Sequence, residues 1–234
     1  MSLYAISDLH LSFADTIEKP MDVFGLEWEN HAERLRAAWI SLVKDEDTVV
    51  IPGDISWGMS LEEAKPDLAF IDALPGKKVL LRGNHDYWWA SMKKMRGLFK
   101  SIEFIQNDAY EGDNFVICGC RGWYFPGTAP KDMTIEESEK IYRRELLRME
   151  MSIEAAKNFG TNKEIIVATH YPPIDKFHVS TEFSNLFDRM GIKTVIYGHL
   201  HGKRIETALE GEISGIYYTL VSLDRLDATP KIII

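Results

Sequence analysis

This sequence of 234 residues has little cysteine, no long apolar run and no excess of basic residues. Its only cysteines are Cys118 and Cys120. Their two-residue spacing along a predicted strand puts both side chains on one face and makes a mutual disulfide geometrically awkward. We therefore expect two reduced, buried packing residues in a cytoplasmic protein. A contribution of both thiols to a metal site is the alternative, although no second Cys/His pair lies nearby.

The scarcity of apolar runs and basic charge also limits the partners. No run approaches the roughly 20 apolar residues that a membrane helix needs, and the N-terminus lacks the basic region and apolar core of a secretory signal. The 27 Lys and Arg residues are outnumbered by 36 Asp and Glu residues, which gives a formal charge of −9. A chain with this charge repels polyanions. We expect neither a membrane nor a nucleic acid as its partner, and the sequence does not determine the oligomeric state.

Short strands alternate with amphipathic helices along most of the chain. Runs rich in β-branched or aromatic residues predict buried strands at 3–6, 48–51, 78–81, 115–118, 164–168 and 193–197. Amphipathic stretches predict helices at 31–43, 60–73, 87–99 and 134–159, and a β-hairpin is predicted from 204–210 and 212–220 around Gly211. This alternation predicts a layered α/β fold in one domain over residues 1–234.

Metal-binding residue types follow nearly every predicted strand. Because strand ends gather along one edge of an α/β sheet, side chains far apart in the sequence are expected to meet there. The donors are Asp8, His10, Asp54, Asn84, His170, His199 and His201. Seven nitrogen or oxygen donors are too many for one tetrahedral ion. They suit two divalent ions about 3.5–4 Å apart, which hold a hydroxide between them for in-line displacement at phosphorus.

Taken in order, these residues resemble the signature of the calcineurin-like metallophosphoesterases. The signature stands here as Asp8-Leu9-His10, Gly53-Asp54, Gly83-Asn84-His85-Asp86, His170 and Gly198-His199-Leu200-His201. The resemblance implies a four-layer fold, a β-sandwich of two sheets flanked by helices. It also implies that Asp8, His10 and His201 bind one ion, that Asn84, His170 and His199 bind the other, and that Asp54 bridges them.

The resemblance further implies the catalytic group and the reaction. His85 is the implied residue that protonates or stabilises the leaving oxygen, a role that the near-neutral pKa of histidine permits. The implied activity is hydrolysis of a small phosphomonoester or phosphodiester with two divalent ions, for which Mn, Fe and Zn all remain open. A nuclease of the same chemistry and a non-catalytic binding module that keeps the fold are the alternatives.

One departure from the signature separates this chain from protein phosphatases. Members that act on phosphoserine or phosphothreonine continue Gly-Asp with x-x-Asp-Arg-Gly, whereas here the chain reads Gly53-Asp54-Ile55-Ser56-Trp57-Gly58. The acidic partner that would orient His85 is therefore missing, together with an adjacent phosphate-binding arginine. Asp86 is a candidate orienting group; the alternative is that it caps a helix starting at Tyr87.

Other residues near the strand ends are candidates for substrate contact. Arg121 or Arg82 is predicted to contact a phosphate through its planar guanidinium, and Trp123 is predicted to line the site. Trp57, Trp88 and Trp89 also neighbour motifs, where they either wall a pocket or pack helices onto the sheet. Two segments, 13–30 and 122–133, are long for simple connections and are interpreted as binding elements or as surface excursions.

Overall fold

Two stacked β-sheets form the centre of the protein, as seen in a computed structural model that describes residues 1–160 and 163–234. Their strands are β1 (Leu3–Ala5), β2 (Thr48–Pro52), β3 (Lys77–Leu81), β4 (Ile102–Phe104), β5 (Ala109–Glu111), β6 (Phe115–Cys120), β7 (Glu164–Thr169), β8 (Thr194–Tyr197), β9 (Gly211–Ile213), β10 (Ile216–Leu220) and β11 (Lys231–Ile232). The first sheet has the order β11-β1-β2-β3-β4, and the second has the order β5-β6-β7-β8-β10-β9. The inner strands of each sheet run parallel, and β11, β5 and β9 are antiparallel edge strands.

Helices cover the outer faces of both sheets. They are α1 (His31–Leu42), α2 (Leu61–Asp72), α3 (Met92–Met95), α4 (Ile135–Lys157) and α5 (Glu182–Arg189), with short 3₁₀ helices at Met21–Phe24, Leu26–Trp28 and Gly202–Thr207. α4 begins with the capping box that its sequence predicts, because Thr134 Oγ1 accepts from Glu137 N–H and the Glu137 carboxylate accepts from Thr134 N–H.

Three apolar clusters hold the layers together. Between the sheets, side chains such as Val50 of β2 and Ile166 of β7 form the central cluster. Outside the first sheet, Trp39 of α1 belongs to a second cluster, and outside the second sheet Ile153 of α4 belongs to a third. The order helix, sheet, sheet, helix confirms the expected four-layer α/β fold.

Two expected elements differ from the observed ones. Only Met92–Met95 is helical within 87–99, because Trp88 and Trp89 are buried beside Phe104, and this packing produces the amphipathic pattern without a helix. The hairpin is formed by β9 and β10 and turns at Ser214-Gly215, where φ is 53° and 78°. Positive φ at both central residues is what a tight hairpin turn requires.

Three further expectations concern the state of the cysteines, membrane-spanning helices and the number of domains. Cys118 and Cys120 are free and buried, as expected, and burial raises the pKa of the Cys118 thiol. Within residues 1–160 and 163–234, no helix combines the length and apolar character needed to cross a membrane. The assignment of 1–234 to one domain stays a prediction.

Candidate metal centre

The structure brings all seven predicted donors to one edge, where the parallel strands of both sheets end. Asp8, Asp54 and Asn84 follow β1, β2 and β3 of the first sheet. His170 directly follows β7 of the second sheet, and the His199 segment follows β8. The carboxyl ends of parallel strands are where α/β proteins bind ligands. The fold thus gathers residues that are up to 193 positions apart in the sequence.

One group, which we call the Asp8 cluster, consists of Asp8, His10 and His201. Each offers one donor atom, and these atoms all lie within 4.8 Å of one another. The closest pair is His201 Nε2 and Asp8 Oδ1, 3.1 Å apart. Asp8 and His10 are buried, and the His201 side chain is 27% exposed. This cluster therefore has one open side.

The second group, the Asp54 cluster, consists of Asp54, His170, His199 and Asn84. The donor atoms of the first three lie within 4.8 Å of one another. Asn84 Oδ1 lies 2.8 Å from His170 Nε2 and 2.9 Å from His199 Nδ1. His170 is fixed from behind, because its Nδ1 lies 3.1 Å from the Pro52 carbonyl oxygen.

One oxygen of the Asp54 carboxylate lies close to imidazole nitrogens of both clusters. Asp54 Oδ2 lies 3.3 Å from His170 Nε2 in its own cluster and 3.8 Å from His10 Nε2 in the Asp8 cluster. The other oxygen, Oδ1, accepts a hydrogen bond from the His85 backbone N–H at 2.8 Å. The backbone thus holds the carboxylate so that Oδ2 faces both groups.

The spacing of the donor atoms fits divalent ions. Metal–ligand bonds of about 2.0–2.2 Å place adjacent ligand atoms roughly 2.8–3.6 Å apart in a tetrahedral or octahedral shell. The shortest separations in the Asp54 cluster, 2.8–3.3 Å, match this range, including 3.2 Å between the two imidazole nitrogens of His170 and His199. Each cluster combines carboxylate and imidazole donors, the set that Mn, Fe and Zn accept.

Four of the donors occupy strained backbone. Asp8, His10, Asp54 and His199 have φ of 60°, 45°, 52° and 72°. Residues other than glycine seldom adopt this left-handed region, and each instance costs on the order of 1–3 kcal/mol. Strain of this kind persists where the surrounding structure imposes it, and it clusters at functional sites. Here it falls on the loops that turn the donors towards a common centre.

Two glycines allow the loops to approach the carboxylates. A Cβ on Gly83 would collide with Asp54 Oδ1, and a Cβ on Gly198 would collide with Asp8 Oδ2. Gly198 also places the following amide, since His199 N–H donates to Asp8 Oδ2 at 3.0 Å. Glycine is therefore needed at both positions for close contact.

In the metal-free centre, the neighbouring histidines determine the pKa values of the two carboxylates. Burial alone would raise the pKa of Asp8 and of Asp54. The neighbouring histidines, chiefly His201 for Asp8 and His170 for Asp54, outweigh this effect and hold both pKa values well below their usual range. Both carboxylates are thus ionised at neutral pH, the state in which they bind cations.

The four histidines of the clusters form two groups, one with lowered and one with raised pKa values. Burial lowers the pKa of His10 to about 4 and that of His199 to about 3, so these rings are neutral donors at pH 7. Burial also opposes protonation of His170 and His201, but nearby carboxylates prevail and raise the pKa of both rings. For His201 the value rises to about 10, because Asp8 and Asp224 both face it.

Asp86 organises the loops around the centre. Its carboxylate accepts hydrogen bonds from the backbone N–H groups of Asp54, Ile55, Ser56 and Gly83 and from Trp88 Nε1. Burial and the charge of Asp54 raise its pKa to about 6. The Asp86 carboxylate is thus bound by the loop amides and by Trp88, and it does not orient the His85 ring. It does not cap a helix either, because no helix starts at Tyr87.

His85 lies beside the clusters without belonging to either. Its ring centroid is 5.7 Å from that of His10 and 4.7 Å from that of Trp57. Burial lowers its pKa from the ordinary value, and the charge of Asp54 opposes that shift. The hydrogen bonds of the described residues include none from this ring to a carboxylate, so its orientation comes from aromatic packing.

Sequence reasoning missed two residues that contact the centre. Asp224 Oδ1 lies 2.9 Å from His201 Nδ1, and Asp224 Oδ2 accepts from Gly202 N–H. Such a carboxylate behind a histidine fixes the ring and makes it a better ligand. Trp28 is buried and makes edge contacts with the rings of His10 and His201 at 5.7 and 5.4 Å. No local pattern marks Asp224, whereas the length of segment 13–30 did draw attention to the surroundings of Trp28.

The predicted substrate contacts have protein partners in the structure. Arg121 Nη2 lies 3.7 Å from Glu145 Oε1, and its guanidinium stacks 4.6 Å above the Trp123 ring. Trp123 Nε1 donates to Ser138 Oγ. Arg82 borders the same small cavity as Arg121 and Glu145. Phosphate contact by these residues stays a prediction.

Comparison with known proteins places the chain in a family. The calcineurin-like phosphoesterase model matches residues 1–203, a range that contains all seven donors and His85. The chain therefore belongs to the calcineurin-like phosphoesterase family. Membership of this family supports the expectation of a metal-dependent phosphoric ester hydrolase.

Individual relatives match only part of the chain. The chain is 39% identical over 82 residues to the gene 66 protein of Mycobacterium phage L5, covering 34% of this chain and 37% of that protein. It is 33% identical over 84 residues to an uncharacterized protein of Methanocaldococcus jannaschii, covering 36% of this chain and 46% of that protein. The matches thus span less than half the length of each of these curated relatives.

A solved structure shares the fold over the whole chain. The phosphopantetheinyl hydrolase of Mycobacterium tuberculosis superposes with a TM-score of 0.56 and 15% identity, covering 100% of this chain and 95% of that one. At this identity the likeness concerns the fold alone, and it agrees with the two-sheet, four-layer arrangement described above.

Proposed function

We propose that the protein hydrolyses a small phosphoric ester with two divalent ions, one held by the Asp8 cluster and one by the Asp54 cluster. The observation that carries this proposal is the position of Asp54 Oδ2, 3.3 Å from a donor of its own cluster and 3.8 Å from a donor of the other. A carboxylate held between two donor groups is what a bridging ligand requires. Mn, Fe and Zn all suit the donor set.

Bound ions would polarise the phosphoryl oxygens and supply the activated water for in-line displacement at phosphorus. The protein's own contribution begins with the loops, which hold the donors in place before any ion arrives. Asp86 fixes the loop after β2 and the loop after β3 to each other through the backbone of Asp54 and Gly83. Such prior organisation reduces the reorganisation needed during the reaction.

His85 is the proposed proton donor to the leaving oxygen. Its ring borders the cavity at the open side of the centre and packs against the rings of His10 and Trp57, which stack on each other. Among the described residues, no carboxylate contacts the ring and holds its proton permanently. Burial lowers its pKa, which makes the protonated ring a stronger acid and favours proton transfer to an alkoxide. The proposed role therefore needs only the ring and its aromatic surroundings.

The experiment that tests this proposal compares metal-free and reconstituted protein. We expect no turnover of p-nitrophenyl phosphate or bis(p-nitrophenyl) phosphate in excess chelator, and turnover after addition of Mn²⁺, Fe²⁺ or Zn²⁺. Metal analysis should give two ions per chain at saturation. Equal turnover with and without chelator would refute the metal requirement, and saturation at one ion would refute the dinuclear site.

A further inference from the structure

A cavity of about 310 Å³ opens beside the Asp8 cluster. His10, His85 and His201 border it where it meets the candidate metal centre. Its other walls are largely apolar and include Met21, Phe24, Trp28 and Trp57. We call this cavity the aromatic pocket. Its volume is at the lower end of the range for small-molecule sites, which suits one or two rings.

We propose that the aromatic pocket receives the leaving group of the phosphoester and selects for an uncharged aromatic or otherwise apolar alcohol. This inference rests on the proposed function, because it takes the leaving oxygen to lie near His85. A group attached to that oxygen would extend from His85 into the cavity that His85 borders. The pocket would thus determine which esters the centre hydrolyses.

The composition of the walls supports an apolar occupant. Removing apolar surface from water contributes roughly 25 cal/mol per Å², and aromatic walls add specific ring contacts. Glu27 is the one charged carboxylate on the lining, and it disfavours an anionic leaving group such as a second phosphate. Lys19 Nζ lies 5.5 Å from the Trp57 ring centroid, but Lys19 is not part of the lining.

One wall of the pocket comes from the segment 21–28, which contains the 3₁₀ helices Met21–Phe24 and Leu26–Trp28. Trp28 anchors this segment, since its ring contacts those of His10, His31 and His201 at 5.4–5.7 Å. Phe24 belongs to the same wall but is 65% exposed. A contact between Phe24 and a ligand would therefore bury apolar surface that water covers in the free protein.

Substitution of Phe24 tests the proposal without disturbing the core. The measurement is the ratio of kcat/KM for 2-naphthyl phosphate to kcat/KM for methyl phosphate, with Mn²⁺-loaded protein. We expect this ratio to fall about tenfold in Phe24→Ala, since an apolar ring contact of this kind is worth on the order of 1.4 kcal/mol. Val23→Ala is the matched control, because Val23 lies in the same short helix, is 72% exposed and does not line the pocket.

A binding measurement separates this proposal from the proposed function. Calorimetry with 2-naphthol and Mn²⁺-loaded protein needs no turnover, and we expect its Kd to rise about tenfold in Phe24→Ala and to stay unchanged in Val23→Ala. An unchanged ratio and an unchanged Kd in Phe24→Ala would overturn the pocket assignment, whether or not the protein is active. Absence of metal-dependent turnover with any ester, alongside Phe24-dependent binding of 2-naphthol, would refute the proposed function while leaving the pocket in place.

Discussion

The Asp8 and Asp54 clusters use similar donors, yet they are supported in different ways. The Asp54 cluster is fixed mainly by its own loops, through the Pro52 carbonyl, the His85 amide and the network around Asp86. The Asp8 cluster depends on a residue outside the loops that carry the donors, because Asp224 holds His201. Asp224 also lies beyond residue 203, where the family match ends.

The open side of the centre also belongs to the Asp8 cluster. His10 and His201 border the aromatic pocket, whereas the donors of the Asp54 cluster do not. We infer that an ion at the Asp54 cluster would be held more tightly and exchange more slowly than one at the Asp8 cluster. One family signature thus carries two neighbouring donor clusters whose side chains are supported by different contacts.

The largest effect is expected where the clusters meet. In Asp54→Asn, the charge that faces both groups is lost, so we expect both ions to bind more weakly and kcat to fall on the order of 10³-fold. Metal analysis and steady-state kinetics measure the two effects. Asp113→Asn, an exposed change between β5 and β6, is the control. Two tightly bound ions and near-native kcat in Asp54→Asn would contradict the bridging role.

Removing His85 should separate chemistry from metal binding. His85→Gln is expected to lower kcat about 10²- to 10³-fold, because a positioned proton donor contributes roughly that factor, and to leave both clusters loaded. The measurements are kcat and metal content per chain. His178→Gln is the control, since His178 pairs with Asp175 and belongs to neither cluster. Loss of metal in His85→Gln would assign it to ligand support instead.

Asp224→Asn should distinguish the two clusters from each other. We expect the affinity of the Asp8 cluster for Mn²⁺ to fall about 10- to 100-fold, because a carboxylate behind a histidine ligand typically contributes that much. The Asp54 cluster should keep its affinity. Calorimetric titration of the metal-free protein resolves the two sites, and Asp227→Asn offers an exposed control in the same segment. Equal loss of Mn²⁺ affinity at both clusters would contradict the inference that Asp224 supports only the Asp8 cluster.

The smallest stepwise effect is the response of metal affinity to each unit of pH. His201, whose pKa is raised to about 10 by Asp8 and Asp224 against the effect of burial, is protonated in the metal-free protein at neutral pH. An ion binds only the neutral ring, so affinity at the Asp8 cluster should rise with pH, by up to about tenfold per unit, and level off above pH 10. Calorimetry in two buffers between pH 6 and 8 counts the protons released. The Asp224→Asn variant should release fewer protons on binding Mn²⁺. An unchanged number of protons would exclude Asp224 as a cause of the raised pKa of His201.

The sequence was most informative where chemistry follows strand ends. The seven donors could be identified because each stands within a few residues of the end of an apolar run, and strand ends meet at one edge whatever the details of the sheet. The helix expected over 87–99 failed because Trp88 and Trp89 owe their spacing to burial beside Phe104. A pattern of apolar residues reports burial and does not by itself specify a helix.

What could not be predicted depends on contacts between distant residues. Asp224 is an isolated carboxylate in the sequence, and only the fold brings it to His201. Asp86 was noticed through its motif, yet its role depends on amides of the loop after β2, about 30 residues away. The left-handed conformation of four donors is likewise imposed by the tertiary structure, since aspartate and histidine carry no strong local preference for it.

That left-handed backbone sets a limit on how the protein can be stabilised. At Asp8, His10, Asp54 and His199, the residue that would best relieve the strain is glycine, with asparagine next. A search for thermostable variants would therefore favour replacing these donors, and each replacement would remove a proposed ligand. Stability and the proposed activity would then be in direct opposition at these four positions. Selection for heat resistance alone should thus yield a firmer fold with an impaired metal centre.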